Sequence, residues 1–182
     1  MREPGLTVAL DDPQATETLG RLLASTIPED SKGLLLALSG ELGAGKTTLA
    51  RALLRSLGVS GTVRSPTYAL VEPYDVARGR VLHFDLYRLA GADELELIGY
   101  RDLRSGSLLA LVEWPERGGG ALGTADLTCQ LDYEGTGRRA RLTAGTGAGQ
   151  DWIGRLQESW RGGARGCIPS KRGTAEETRV SS

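Results

Sequence analysis

Residues 40–47 read GELGAGKT. Three glycines in six positions cost conformational entropy on folding and add no side chain to a core, so something must approach that backbone closely. The spacing satisfies GxxxxGK[ST], in which backbone N–H groups wrap a nucleotide's phosphates, the lysine reaches the β and γ phosphates and the hydroxyl ligates magnesium. Lys46 and Thr47 hold those two positions, and Lys46 is one of only three lysines among 22 basic residues. Hydrolysis or transfer also needs a carboxylate for the metal and a group that positions the nucleophile. Asp85, after VLHF, and Glu113, after SLLALV, each close an apolar run. Either acid alone reads as a solvated carboxylate at a strand end. With a phosphate loop in the same sheet both are expected at the nucleotide, because ligands of open α/β sheets gather beyond the carboxyl ends of the strands.

Two further groups stand near this chemistry. In RSPTY, Pro66 fixes its own φ and biases Ser65 away from helix, so Thr67 and its neighbours could hold a hydroxyl or a carbonyl near a γ phosphate. A plain strand-initiating turn explains the same residues equally well. His83, the single histidine, lies between Leu82 and Phe84, where a core or supporting position is expected rather than catalysis.

These residues need elements to position them. Leu34 to Leu38 is a continuous apolar run of the kind a buried parallel strand shows, and Thr48 to Leu57 places Leu49, Ala52, Leu53 and Leu57 at helical spacing before a stop at Gly58. Strand, loop and helix in that order aim a helix N-terminus at an anion. DPQATETLGRLLA predicts an earlier helix. VRSPTYALVEPY and VLHFDLYRL predict strands about the turn ARGR, the second ending near Asp85, and ADELELIGYRDL predicts one short helix. SLLALVEW is a third apolar run, and LTCQLDYEGTGRRARLTA predicts a hairpin at the edge of the sheet. GQDWIGRLQESW then spaces Trp152, Ile153, Leu156 and Trp160 on one packing face. The alternation predicts an α/β fold in three layers around a mostly parallel central sheet, with that edge hairpin and a C-terminal helix.

Composition narrows the function. At 182 residues, 40% hydrophobic and 25% charged, the chain suits one domain over 1–160, with a polar, glycine-rich and aperiodic tail, 161–182, expected to be disordered. The tail holds five basic and two acidic residues, so the body is more acidic than the net charge of −1 indicates. Such a body is a poor non-specific binder of nucleic acid. No stretch suits a membrane span, and the start lacks a basic region followed by an apolar one, so a cytoplasmic protein is expected. Cys129 and Cys167 match no metal spacing and read as incidental.

Taken together, SGELGAGKTTLARALLRSLGV, VRSPTYALVEPY, LHFDLYRL, ELELIGYRDL and LVEWP resemble one family, TsaE, also called YjeE, from about Gln14 to Arg141. A phosphate loop alone belongs to many families; HFDLYRL with SPTYALVEPY and VEW is far more specific. The resemblance implies a small ATPase of tRNA threonylcarbamoyladenosine biosynthesis that acts on a TsaD–TsaB assembly, and on tRNA only indirectly. It implies that Leu42, Gly43, Ala44, Gly45, Lys46, Thr47 and Thr48 surround the phosphates of ATP, with Thr47 and Glu113 as Mg²⁺ ligands. It implies an essential acid in Asp85, nucleotide contacts from Glu116 and Arg138, a switch-like loop in Ser65–Thr67, a tryptophan beside the metal acid in Trp114, and contact with adenine around Pro13–Thr16. Lys46, Asp85 and Glu113 are thus the catalytic set. Arg64, Arg88 and Arg138 are available to the nucleotide, yet none is an evident arginine finger, so hydrolysis by the chain alone is expected to be slow. The alternatives are a small-molecule or nucleoside kinase, although no lid insertion is evident, and a nucleotide-dependent protein-binding switch.

Overall fold

The computed structural model describes residues 5–66 and 68–164. Thr67, Cys167 and the tail from residue 165 lie outside them. The elements run β1 (Gly5–Leu10), α1 (Pro13–Ser25), β2 (Leu34–Gly40), α2 (Lys46–Ser56), β3 (Val71–Val76), β4 (Gly79–Asp85), α3 (Asp93–Leu97), α4 (Tyr100–Ser105), β5 (Leu109–Glu113), β6 (Leu127–Glu134), β7 (Gly137–Ala144) and α5 (Gly147–Ala164). Two 3-10 turns, Pro115–Arg117 and Gly119–Leu122, join β5 to β6.

The seven strands form one sheet in the order β1-β7-β6-β2-β5-β4-β3. β2 pairs in parallel with β5 and β6, and β4 with β5, whereas β1–β7, β6–β7 and β3–β4 are antiparallel. The sheet is therefore mixed, which corrects the expected mostly parallel arrangement. The β6–β7 hairpin is internal, because β1 covers its outer strand. β1, which the sequence reading did not anticipate, buries Val8 and Leu10 from a short alternation with Leu6. At the opposite edge β3 starts only at Val71, not at Tyr68. Leu70 takes φ 66° and its N–H closes on Pro66 O at 2.8 Å, which ends the preceding loop before the strand begins. Pro73 is tolerated in β3 because an edge strand leaves one side unpaired.

Alternation along the central strands sorts their side chains onto two cores. Leu34, Leu36, Leu38, Val81, Leu109 and Leu111 join Leu19, Leu23, Leu49, Leu53 and Trp152 from α1, α2 and α5. Leu35, Leu82, Phe84, Ala110 and Val112 join Leu95 and Tyr100 from α3 and α4 on the other face. The single helix expected over 92–103 is two, because Gly99 adopts φ 68° between them. Asp12 caps α1 by accepting the Ala15 N–H at 2.7 Å, with Pro13 at the first helical position. α5 continues through Ala164 and buries Trp152, Ile153 and Leu156, with the Trp152 indole donating to Leu23 O at 3.1 Å. Among the described residues no helix is long and apolar enough to cross a membrane.

Candidate phosphate and metal site

β2 is buried at the centre of the sheet, and the chain leaves its carboxyl end through Gly40. Gly40 has φ 140°, and a Cβ there would lie 2.4 Å from Leu131 O of the neighbouring strand. Gly43 has φ 79°, and its missing Cβ would lie 2.8 Å from the Tyr133 hydroxyl. Only glycine fits the loop at these two points. The β6–β7 hairpin braces the loop from outside. Tyr133 donates its hydroxyl to Leu42 O at 2.8 Å, Arg138 donates to Gly43 O at 3.3 Å, and the Arg138 guanidinium lies 4.0 Å from the centre of the Tyr133 ring. α2 begins at Lys46 directly beyond Gly45, so the positive end of its backbone dipole faces the loop.

Asp85 and Glu113 are paired positions at the carboxyl ends of adjacent parallel strands. Strand alternation puts both on the face that α2 covers, together with His83. Glu113 is 2% exposed, accepts the Thr47 hydroxyl on Oε2 at 2.9 Å and is bonded to His83 Nε2 through Oε1 at 2.9 Å. Asp85, 4% exposed, accepts the Ser65 hydroxyl and the Tyr87 N–H, the latter at 3.0 Å. Lys46 donates to Gly40 O at 2.6 Å and Glu41 O at 2.8 Å, and its ammonium lies 3.7 Å from the centre of the Trp114 ring. Burial pushes the Lys46 ammonium below its ordinary value, while Glu113, Glu116 and Asp85 pull it back toward the charged form. Leu42, Gly43, Gly45, Lys46, Thr47, Thr48, Ser65, Asp85, Arg88, Glu113 and Trp114 line one cavity of about 370 Å³.

The structure thus gathers the loop residues, Lys46, Thr47, Asp85 and Glu113. Leu42 forms an exposed lip, and Ala44 is buried with its N–H held by Glu41 O at 3.1 Å. Arg138 lines a separate recess of about 310 Å³ behind the loop, with Asp12, Pro13, Thr16, Gly45 and Thr48. Glu116 is exposed in the first 3-10 turn, after Trp114 at φ 59°, and lines neither cavity. Its charge acts on Lys46. Arg88 lines the cavity and stacks on Tyr68 at 4.4 Å, whereas Arg64 faces another recess. Tyr133 and the Tyr87 N–H escaped sequence reading. Tyr133 alternates with Leu127, Cys129 and Leu131 and so reads as one more residue of a strand face; only the pairing of Gly40 with Leu131 brings its hydroxyl to the loop.

The donor set suits a hard divalent cation. Thr47 and Glu113 present oxygens 2.9 Å apart beside the loop. Magnesium is commonly held by one or two protein oxygens together with substrate phosphates rather than by a protein cage, and Thr47 and Glu113 supply two such oxygens.

Fold and site together define a class: an α/β protein whose GxxxxGK[ST] loop joins the central strand of a mixed sheet to a helix, with two acids at the ends of neighbouring strands. The family described as threonylcarbamoyl adenosine biosynthesis protein TsaE matches residues 10–141, and the chain belongs to it. A relative from Haemophilus influenzae, tRNA threonylcarbamoyladenosine biosynthesis protein TsaE, is 46% identical over 122 residues, covering 67% of this chain and 77% of its own. The protein of that name from Streptomyces coelicolor is 39% identical over 139 residues, covering 74% and 91%. The crystal structure of Bacillus subtilis YdiB shares the fold at a TM-score of 0.71 and 24% identity, over 87% of this chain and 98% of that one.

Proposed function

We propose that the protein is a phosphate-loop ATPase that supports formation of N6-threonylcarbamoyladenosine at position 37 of tRNA, acting on a TsaD–TsaB assembly and not on tRNA directly. The observation that carries this reading is the link from Thr47 at the start of α2 to Glu113 at the end of β5, with Lys46 and Asp85 lining the same cavity. The loop's N–H groups and the start of α2 receive the phosphates of ATP. Lys46 exchanges its two carbonyl partners for phosphate oxygens and stabilises charge developing on the transferring phosphoryl group, while Trp114 keeps water from the ammonium. Thr47 and Glu113 would hold Mg²⁺, which when bound neutralises phosphate charge.

Asp85 orients the attacking water. Ser65 and the Tyr87 N–H fix the direction of its carboxylate, which ties the 62–70 loop to the reacting end of the nucleotide. Arg88 lines the cavity and sits on the exposed Tyr68, so a partner that engages Tyr68 also acts on Arg88. Turnover by the chain alone is accordingly slow and rises with the partner. The test is ATP hydrolysis by the full chain with and without its cognate TsaD and TsaB proteins. Stimulation in the native protein and none in Lys46→Ala is expected; turnover in Lys46→Ala equal to native would end the assignment.

A further inference from the structure

His83 is a buried titratable side chain that the reaction above leaves without a task. It lies on β4 two residues before Asp85, is 0% exposed, and places Nε2 2.9 Å from Glu113 Oε1. A carboxylate only accepts, so Nε2 carries the proton and donates it. Nδ1 has no hydrogen-bond partner among the described residues. An imidazole that merely filled the core would leave a polar nitrogen buried for no gain, a cost an apolar side chain avoids. The ring's single polar tie, to Glu113, is what offsets that cost.

We propose that His83 is a positioning residue for the metal: its N–H pins Glu113 Oε1, so that Glu113 meets the ion through Oε2, the oxygen that faces Thr47. Without that tie only the Thr47 hydroxyl holds the carboxylate, so either oxygen can turn toward Thr47 and the ion. Partners that orient a metal ligand in this way commonly change metal affinity about 10–100-fold when removed. The inference rests on the Mg²⁺–ATP reading above.

The test uses the full chain, Mn²⁺ as a spectroscopically visible ion and a non-hydrolysable ATP analogue. In His83→Leu, nucleotide-dependent Mn²⁺ affinity measured by electron paramagnetic resonance falls about tenfold or more, while affinity for the analogue without metal is unchanged. His83→Gln, whose Nε2 stands as many bonds from Cβ as the imidazole Nε2, restores Mn²⁺ affinity to within about threefold of native. Native affinity in His83→Leu, or a His83→Gln protein no better than His83→Leu, overturns the proposal. If His83→Leu does not fold, His83→Asn takes its place, since its amide falls one bond short and must behave as the leucine does. Failure of the native chain to bind Mn²⁺ with the analogue would instead sink the ATPase reading itself.

Discussion

At the scale of single residues, the site depends on close approaches that only particular side chains allow. Gly40→Ala would force a Cβ within 2.4 Å of Leu131 O at a φ of 140°. The expected cost is about 2–4 kcal/mol, read as a fall in the urea midpoint with unchanged slope. Tyr133→Phe removes the donor to Leu42 O while leaving the ring under Arg138. It should weaken nucleotide binding by about 1 kcal/mol, measurable by titration calorimetry, because the loop loses one brace. Cys129 is buried, and burial pushes its thiol up to about 12 from 9.0. A raised value means that the folded chain keeps the proton the unfolded chain releases. The thiol's contribution to stability is therefore intact below about pH 9 and is lost between there and about pH 12. In a Cys167→Ser background, alkylation at pH 8 should require opening of the fold and be far slower than in urea-unfolded protein.

Elements explain which of these residues were legible beforehand. The strand before the loop, α2 and the acids closing β4 and β5 were readable because a buried parallel strand is an unbroken apolar run and its carboxyl end is the ligand side of the sheet. The mixed pairing was not, since Leu6, Val8 and Leu10 alternate too briefly to announce an edge strand, and nothing local says that β7 has a partner on both sides. Gly99 split the expected helix through a single positive φ, and Leu70 delayed β3 by the same means. Far from the site, Asp126 joins β2, α4 and the start of α5: its carboxylate accepts from Leu35 N at 2.7 Å, Thr146 Oγ1 at 2.6 Å and Arg104 at 3.3 Å. Asp126→Ala leaves a buried strand N–H unpaired, and a loss of about 2–4 kcal/mol in thermal or urea unfolding is expected, with ATP affinity unchanged.

The whole molecule divides its labour by the ends of the sheet. One end holds the Asp126 network that fastens strands to helices; the other opens on the loop, the two acids and the exposed residues Leu42, Tyr68 and Tyr87. The chain belongs to the TsaE family. The resemblance read from five short strings named that family, because HFDLYRL together with SPTYALVEPY and VEW is far more specific than a phosphate loop alone. Glu116 follows a left-handed residue, Trp114, and stands at the surface. The central claim is that Glu113 joins the loop to the metal, and the most direct measurement is ATP turnover by Glu113→Gln in the presence of TsaD and TsaB. The account predicts partner-stimulated turnover reduced by about 10²-fold or more, with the variant still folded; stimulated turnover equal to that of the native chain would contradict it.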